Sequence, residues 1–280
     1  MNRWLALDID GTITKDPHTI PAAILNRLTQ FAAEGWHIAF VTGRTLRFAR
    51  MALSDFKIPH LLIPQNGSGA LWMPEERIIC KHFLSFSDIA EIEQLLQPAN
   101  PGLLIYRGFT ANDRCYVREG SFPLAMMHEF EKWQEIQKER WIVVPKFRQE
   151  EIPEFAVAKC YGQEEEILRL FKAWRGEGKY QITLSRDPWI PGRAMLFISH
   201  PLASKGGVLK ESLNLMNQKG PVIAAGDDHN DLTLFAVADF RIAMTHAPAE
   251  LREKADLIVE NNGDGLALIR ALEKGIQVLS

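Results

Sequence analysis

Two aspartates, Asp8 and Asp10, stand one residue apart in Asp8-Ile9-Asp10-Gly11-Thr12, directly after the apolar run Trp4-Leu5-Ala6-Leu7. A short apolar run that ends at a turn signal reads as a buried strand. Both carboxylates therefore emerge at a strand end, where Gly11 lets the chain turn tightly and Thr12 adds a hydroxyl. Ligands of open α/β sheets bind at the carboxyl ends of strands. Adjacent carboxylates repel unless a cation lies between them, and Mg²⁺, a hard cation, takes oxygen ligands. One carboxylate can then act as nucleophile and the other as acid and base. The same residues would also serve as a surface turn closed by an Asx hydrogen bond. What separates the two readings is whether distant residues supply the rest of the chemistry.

Three further clusters do so. Thr42-Gly43-Arg44 follows an apolar run at a strand-to-helix junction, where a hydroxyl and the N–H groups of a helix N-terminus can hold an anion. Thr42 would alternatively cap its helix, and Arg44 would either bind substrate or form a surface ion pair. Lys205, in Ser204-Lys205-Gly206-Gly207, opens a helix and offers a point charge to a phosphate oxygen, the alternative being a solvated surface lysine. Gly226-Asp227-Asp228-His229-Asn230-Asp231 follows another strand. Asp227 could complete a metal site with Asp8, although Asp227 and Asp228 could also cap the next helix; His229 is read as a solvent-facing or orienting group rather than a base. Independent caps would not be expected to supply nucleophile, metal ligands, hydroxyl, lysine and amide, each at a strand end.

The elements that must position these groups alternate. A helix is expected over 21–34, with Ile24, Leu25, Leu28 and Phe31 on one face, then a strand over 36–41, a helix over 45–54, a strand over 60–63 and a hairpin of 70–73 with 77–80. The rhythm resumes with a helix over 202–216, a strand over 221–225, a helix through Leu232, Leu234 and Val237, a strand over 240–244, a helix over 249–254, a strand over 257–259 and a helix ending near Lys274. Such alternation implies a mostly parallel sheet with helices on both faces. Residues 83–199 break it: helices near 87–96, 123–138 and 164–174 mix with strands at 103–106, 114–118, 154–160, 181–184 and 195–198. The expectation is an α/β core of residues 1–82 and 200–280 with an inserted α+β module, its chain crossing back at 187–193 or shortly after.

Composition bounds the rest. A chain of 280 residues, 46% hydrophobic and 24% charged with net charge −3, has a globular balance and no nucleic-acid footprint. No apolar run is long enough to span a bilayer, and Asp8 and Asp10 interrupt the N-terminus before a signal-peptide core could form. Cys80, Cys115 and Cys160 form no CxxC pair and read as free thiols in a reducing cytoplasm. No GxxxxGK[ST] occurs, and Trp72 stands where GxGxxG would need its third glycine after Gly67 and Gly69.

The four motifs together, with a large insert between the second and third, resemble those of the haloacid-dehalogenase-like hydrolase superfamily, and specifically its Cof-type sugar-phosphate phosphatase branch. Asn66-Gly67, the hairpin after it, and Met244 with residues 247–250 add to the likeness, which covers both ends of the chain and is vaguer across the insert. The resemblance implies a Rossmann-like core and an inserted cap that closes over the site and selects the leaving group. It implies that Asp8 attacks phosphorus to give an aspartyl-phosphate, and that Asp10 protonates the leaving alcohol and then activates water. Mg²⁺ would be held by the side chains of Asp8 and Asp227 and the backbone carbonyl of Asp10. Thr42, the Gly43 amide, Lys205 and Asn230 would hold phosphate oxygens, with Arg44 and Asp231 in support. Thr245-His246 departs from the Gly-Asn that relatives commonly carry after the methionine, so support of metal or substrate there would differ. The expected substrate is a small phosphate ester, most simply a phosphorylated sugar, handled by a monomer or weak homodimer without nucleic acid or membrane. A phosphomannomutase-like mutase and a non-catalytic sugar-phosphate-binding module are the alternatives. The first would require a bisphosphate activator, and the second would normally have lost Asp8 or Asp10.

Overall fold

The structure is a computed structural model that describes residues 2–279 other than 98, 100, 175–177, 188–189 and 261–262. The chain divides into two compact units. One comprises 1–44, 49–81 and 202–280, the other 45–48 and 82–201.

The first unit is built on an eight-stranded sheet. Arg3–Leu7 lies inside it, with Trp36–Val41, His60–Ile63, Gly69–Met73 and Arg77–Lys81 following on one side and Val222–Gly226, Phe240–Met244 and Leu257–Val259 on the other. The first six strands in spatial order from Leu257–Val259 are parallel, and the hairpin of Gly69–Met73 with Arg77–Lys81 adds two antiparallel pairings. Succession thus reverses direction at Arg3–Leu7, the kind of switch point beyond whose strand ends ligands bind. Leu7 is level with Phe40 on one neighbour and Ala225 on the other, so Asp8, Thr42 and Asp227 leave the sheet at the same edge. The strands read as continuous apolar runs because both faces are covered. On one face Val208, Leu209 and Leu213 of the helix Lys205–Leu215, with Leu234 and Phe235, pack against Trp4, Ala6, Ala39, Val41, Leu61 and Ile63. The helix Ala22–Ala33, which buries Ile24, Leu25, Leu28 and Phe31, packs on Trp36–Val41 and on the last helix, Leu266–Leu279.

The second unit is α+β. Its six-stranded sheet runs Gln181–Arg186, Arg193–Ser199, Val157–Gln163, Leu103–Tyr106, Cys115–Arg118, Ile142–Val144 in space, antiparallel but for the last pair. Alternate residues serve opposite faces. Leu103, Ile105, Ala158 and Leu196 pack with Ile89, Ile92 and Ile167 of the helices Ser87–Leu95 and Glu164–Ala173. Leu104, Tyr106, Val157 and Phe197 pack with Phe130 and Trp133 of the helix Leu124–Gln137.

Several expectations change in detail. The strand expected over 154–160 is two strands: Glu154–Phe155 pairs with Leu84–Ser85, and Val157–Gln163 enters the large sheet. Ile142–Val144 is a parallel edge strand that sequence reading missed, since three residues carry no visible alternation. The segment 187–193, of which 188 and 189 lie outside the described residues, closes a hairpin through Asp187 N–H to the Arg193 carbonyl, and the chain returns to the first unit after Pro201. The helix expected through Val237 shrinks to one turn, Leu232–Phe235, after a 3₁₀ turn at His229–Asp231 fixed by reciprocal capping between Asp228 and Asp231. The final helix runs on to Leu279. Among the described residues no helix is long and apolar enough to cross a membrane.

Candidate active site

Asp8 is the first residue beyond its strand, held by its N–H to the Ala225 carbonyl at 3.0 Å. The chain then doubles back, with Ile13 and Thr14 donating to the Ile9 carbonyl and Gly11 to that of Thr14. Gly11 sits at φ +78°, and a Cβ there would lie 2.1 Å from Asp227 Oδ2. Only glycine meets both demands. The tight loop turns the Thr12 hydroxyl to lie 3.2 Å from both Asp8 Oδ2 and Asp227 Oδ1.

Lys205 opens its helix after Ser204, whose Oγ accepts from the Gly207 N–H. Its helix comes close to the 229–235 segment because position 206 is glycine: a Cβ there would lie 1.8 Å from the Thr233 carbonyl oxygen. Lys205 is 1% exposed, and its Nζ donates to Asp8 Oδ1 at 2.6 Å and to Asp231 Oδ1 at 2.7 Å. It is a buried ionic link between two motifs, not a solvated lysine. Asp231 Oδ2 accepts from the backbone N–H groups of Asp227 and Asp228 at 2.9 and 3.1 Å. Both Asp231 oxygens are thus engaged in holding Lys205 and the Asp227 loop.

Electrostatics follow from this packing. Burial pushes the Asp8 carboxyl well above its usual range, opposed by Lys205 and reinforced by Asp231 and Asp227. Asp227 is raised likewise, by burial first and then by Asp231 and Asp228. Burial disfavours charge on Lys205, yet Asp231 and Asp8 outweigh it and hold its pKa above the ordinary lysine value.

Carboxylate oxygens of Asp8, Asp227 and Asp231 lie within 4.8 Å of one another. Three carboxylates face one ammonium, which leaves a deficit of positive charge in a buried place. A hard divalent cation fits that donor set. Asp231 gives both oxygens to an ammonium and backbone N–H groups, whereas Asp8 and Asp227 each turn one oxygen toward the rotatable Thr12 hydroxyl, so these two side chains are the better placed to hold it.

The remaining predicted residues form two groups beside this one. Arg44 closes a fork on Asp10, Nε to Oδ2 at 2.9 Å and Nη2 to Oδ1 at 2.6 Å, while its Nη1 donates to the Pro17 carbonyl at 2.6 Å. The pair is partly buried, so Arg44 orients Asp10 rather than making a surface ion pair. Thr42 is fully buried, and its Oγ1 accepts from the Arg44 N–H at 3.1 Å. That is a turn-closing contact rather than a helix cap, since the helix Leu46–Ala52 starts later. The Asn66 N–H donates to the Thr42 carbonyl, which brings the Asn66 amide against Gly43. Asn230 Nδ2 donates to Asn66 Oδ1 at 3.1 Å. Asn66 Nδ2 and Asn230 Oδ1 are buried without protein partners among the described residues. His229 bonds its own neighbour, Nδ1 to Asp228 Oδ1 at 3.0 Å, as an orienting group does.

In the sequence Asn66 stood out only within Asn66-Gly67, a point of likeness to the family with no role attached, and its bond to Asn230 carried no signal. His246 stood out only as an unusual residue; its Nε2 lies 3.0 Å from Asp227 Oδ2.

The fold and this cluster define a Rossmann-like α/β protein with carboxylates gathered at the switch point. The haloacid dehalogenase-like hydrolase family matches residues 5–272, and the chain belongs to it. It is similar to the phosphoglycolate phosphatase of Sulfurisphaera tokodaii, 33% identical over 94 residues, a match spanning 34% of this chain and only 40% of that protein. It is similar along most of its length to the putative phosphatase YxeH of Bacillus subtilis, 23% identical with 94% of this chain and 95% of that one covered. The solved structure of the HAD subclass IIB sugar phosphatase BT4131 superposes with a TM-score of 0.76 at 18% identity, covering 98% of this chain and 99% of that one.

Proposed function

We propose that the protein is a Mg²⁺-dependent phosphomonoesterase acting on a small phosphorylated metabolite, a sugar phosphate being the best fit. The observation that carries this reading is Lys205 held between Asp8 and Asp231 with Asp227 alongside. It is a buried cluster short of positive charge, at the sheet edge where Thr42 and Gly43 also lie. The names of full-length relatives, a putative phosphatase and a sugar phosphatase, agree with it.

An Asp8 carboxylate oxygen attacks phosphorus; the bond from phosphorus to the leaving oxygen breaks and an aspartyl-phosphate forms on Asp8. Asp10, once it carries a proton in place of one bond from the Arg44 fork, gives that proton to the departing alkoxide. It then takes a proton from the water that attacks the phosphorus of the intermediate, which frees inorganic phosphate and restores Asp8. Lys205 offsets the negative charge that gathers on Asp8 and the phosphoryl oxygens. Thr42, the Gly43 amide and Asn230 donate to those oxygens, and Asn66 holds Asn230. Asp8, Asp227 and the Asp10 carbonyl would hold Mg²⁺, whose charge would let an anionic nucleophile meet an anionic ester. The inserted unit carries the choice of leaving group, acting as a cap.

A screen of phosphorylated metabolites with and without Mg²⁺, with Asp8→Asn as control, tests the proposal. Metal-dependent phosphate release that the control lacks is expected. An Asp8→Asn protein of equal activity would overturn it, and release that depends on added bisphosphate would indicate a mutase.

A further inference from the structure

Asp227 is held on three sides. Thr12 Oγ1 reaches its Oδ1 at 3.2 Å, and His246 Nε2 reaches its Oδ2 at 3.0 Å. Gly11 closes a third side, where even a Cβ would collide with the carboxylate. His246 comes from the next strand of the sheet: Phe240–Met244 runs parallel to Val222–Gly226, with Ala243 level with Gly226, so the loop after Met244 emerges beside Asp227. That loop is fixed at both ends. Thr245 donates to the Val259 carbonyl at 2.9 Å, Ala247 donates to the Met244 carbonyl at 3.0 Å, and the Ala247 side chain is buried. The imidazole is thus presented by a braced turn, while its outer part stays in solvent, 47% exposed.

We propose that His246 is a positioning residue for the divalent cation: it donates from Nε2 to Asp227 Oδ2, fixes the carboxylate's rotation and thereby sets the affinity for the metal. This rests on the reading above, in which Asp227 is a metal ligand. A carboxylate free to rotate must be ordered when the metal arrives, whereas one already braced is not. Groups that hold ligands in place in this manner typically account for about 10–100-fold in metal affinity. His246 is not itself a ligand in this arrangement, since the carboxylates that gather within ligand distance are Asp8, Asp227 and Asp231.

The test is calorimetric titration of Mg²⁺, at one fixed pH, into the wild-type protein and the His246→Ala, His246→Gln and Asp227→Asn variants. His246→Ala should weaken Mg²⁺ binding about tenfold, and His246→Gln, which restores an N–H donor at similar reach, should recover most of it. In turnover, the half-saturating Mg²⁺ concentration should rise with His246→Ala by more than kcat falls, and the melting temperature in chelator should not move. If His246→Ala binds Mg²⁺ like wild type while Asp227→Asn does not, the positioning role is wrong and the metal site stands. If Asp227→Asn binds like wild type, the metal assignment falls and this proposal with it.

Discussion

Each unit of the molecule buries one lysine, and the two lysines live in opposite electrostatic worlds. Lys205, in the first unit, is 1% exposed and bonded to two carboxylates, which hold it charged. Lys159, in the second, is 4% exposed, and its Nζ lies over the rings of Tyr106 and Phe197 at 4.1 and 4.9 Å from their centroids. Among the described residues no carboxylate reaches it as an ion pair. Burial lowers its pKa, against the pull of Glu139, Cys115 and Asp113. Those neighbours are raised in turn, Glu139 to about 7 and Asp113 to about 6, both mainly by burial. Asp113 Oδ1, Glu139 Oε2 and Tyr106 Oη have no partner among the described residues. The first unit pairs its buried lysine with its anions. The second holds polar groups that meet burial largely by shedding charge. What sets the first arrangement apart is its lysine, held charged between Asp231 and Asp8, although burial pushes the Asp8 and Asp227 carboxyls upward there too.

The comparison can be broken in graded steps. The largest effect belongs to Asp8→Asn, which should cut phosphate release about 10⁴-fold or more, as loss of a nucleophile does, in an assay of initial rates at saturating Mg²⁺. Next is Lys205→Met, which leaves Asp8 and Asp231 uncompensated; near pH 7 it should cost about 3–5 kcal/mol in denaturant unfolding and abolish activity. Unchanged stability would mean the Lys205 link is not the ionic support inferred here.

Glu139→Gln should show a pH-dependent gain. The Glu139 pKa is about 7 in the fold against an ordinary 4.5. The buried, protonated form therefore contributes fully below pH 4.5, and that contribution is lost as pH rises through 7. At about 1.4 kcal/mol per unit, roughly 3 kcal/mol at most is at stake. The variant should match wild type at low pH and exceed it above neutrality, as unfolding midpoints across the range would reveal. Smallest is Lys159→Met, which near pH 5, where Glu139 and Asp113 hold protons, should change stability by no more than about 1 kcal/mol. A loss as large as that of Lys205→Met would erase the contrast.

The same contrast governs how much could be read from sequence. His60–Ile63 and Phe240–Met244 fall where the apolar runs place them, because strands buried on both faces leave an unbroken apolar signature. Asp8, Lys205 and Asp227 were legible because each follows such a run or opens a helix. The second unit's sheet is antiparallel and partly at an edge. Ile142–Val144 is mostly exposed, and Ala156 divides two strands within one apolar stretch, so pattern alone could not register them. Asn66 and His246 act through contacts 164 and 19 residues away in the chain, and only the fold brings those partners together. The Arg44 fork was hidden for the same reason: a basic residue after Gly43 says nothing of which anion it meets.

The central claim is that Asp8 carries the phosphoryl group. Rapid mixing with a turned-over phosphate ester and Mg²⁺, acid quenching within a turnover, and peptide mapping would locate it. A phosphoryl group on the peptide containing Asp8, absent in Asp8→Asn, is the predicted result. Steady turnover with no phosphorylated peptide, or with the group on any other residue, would contradict it.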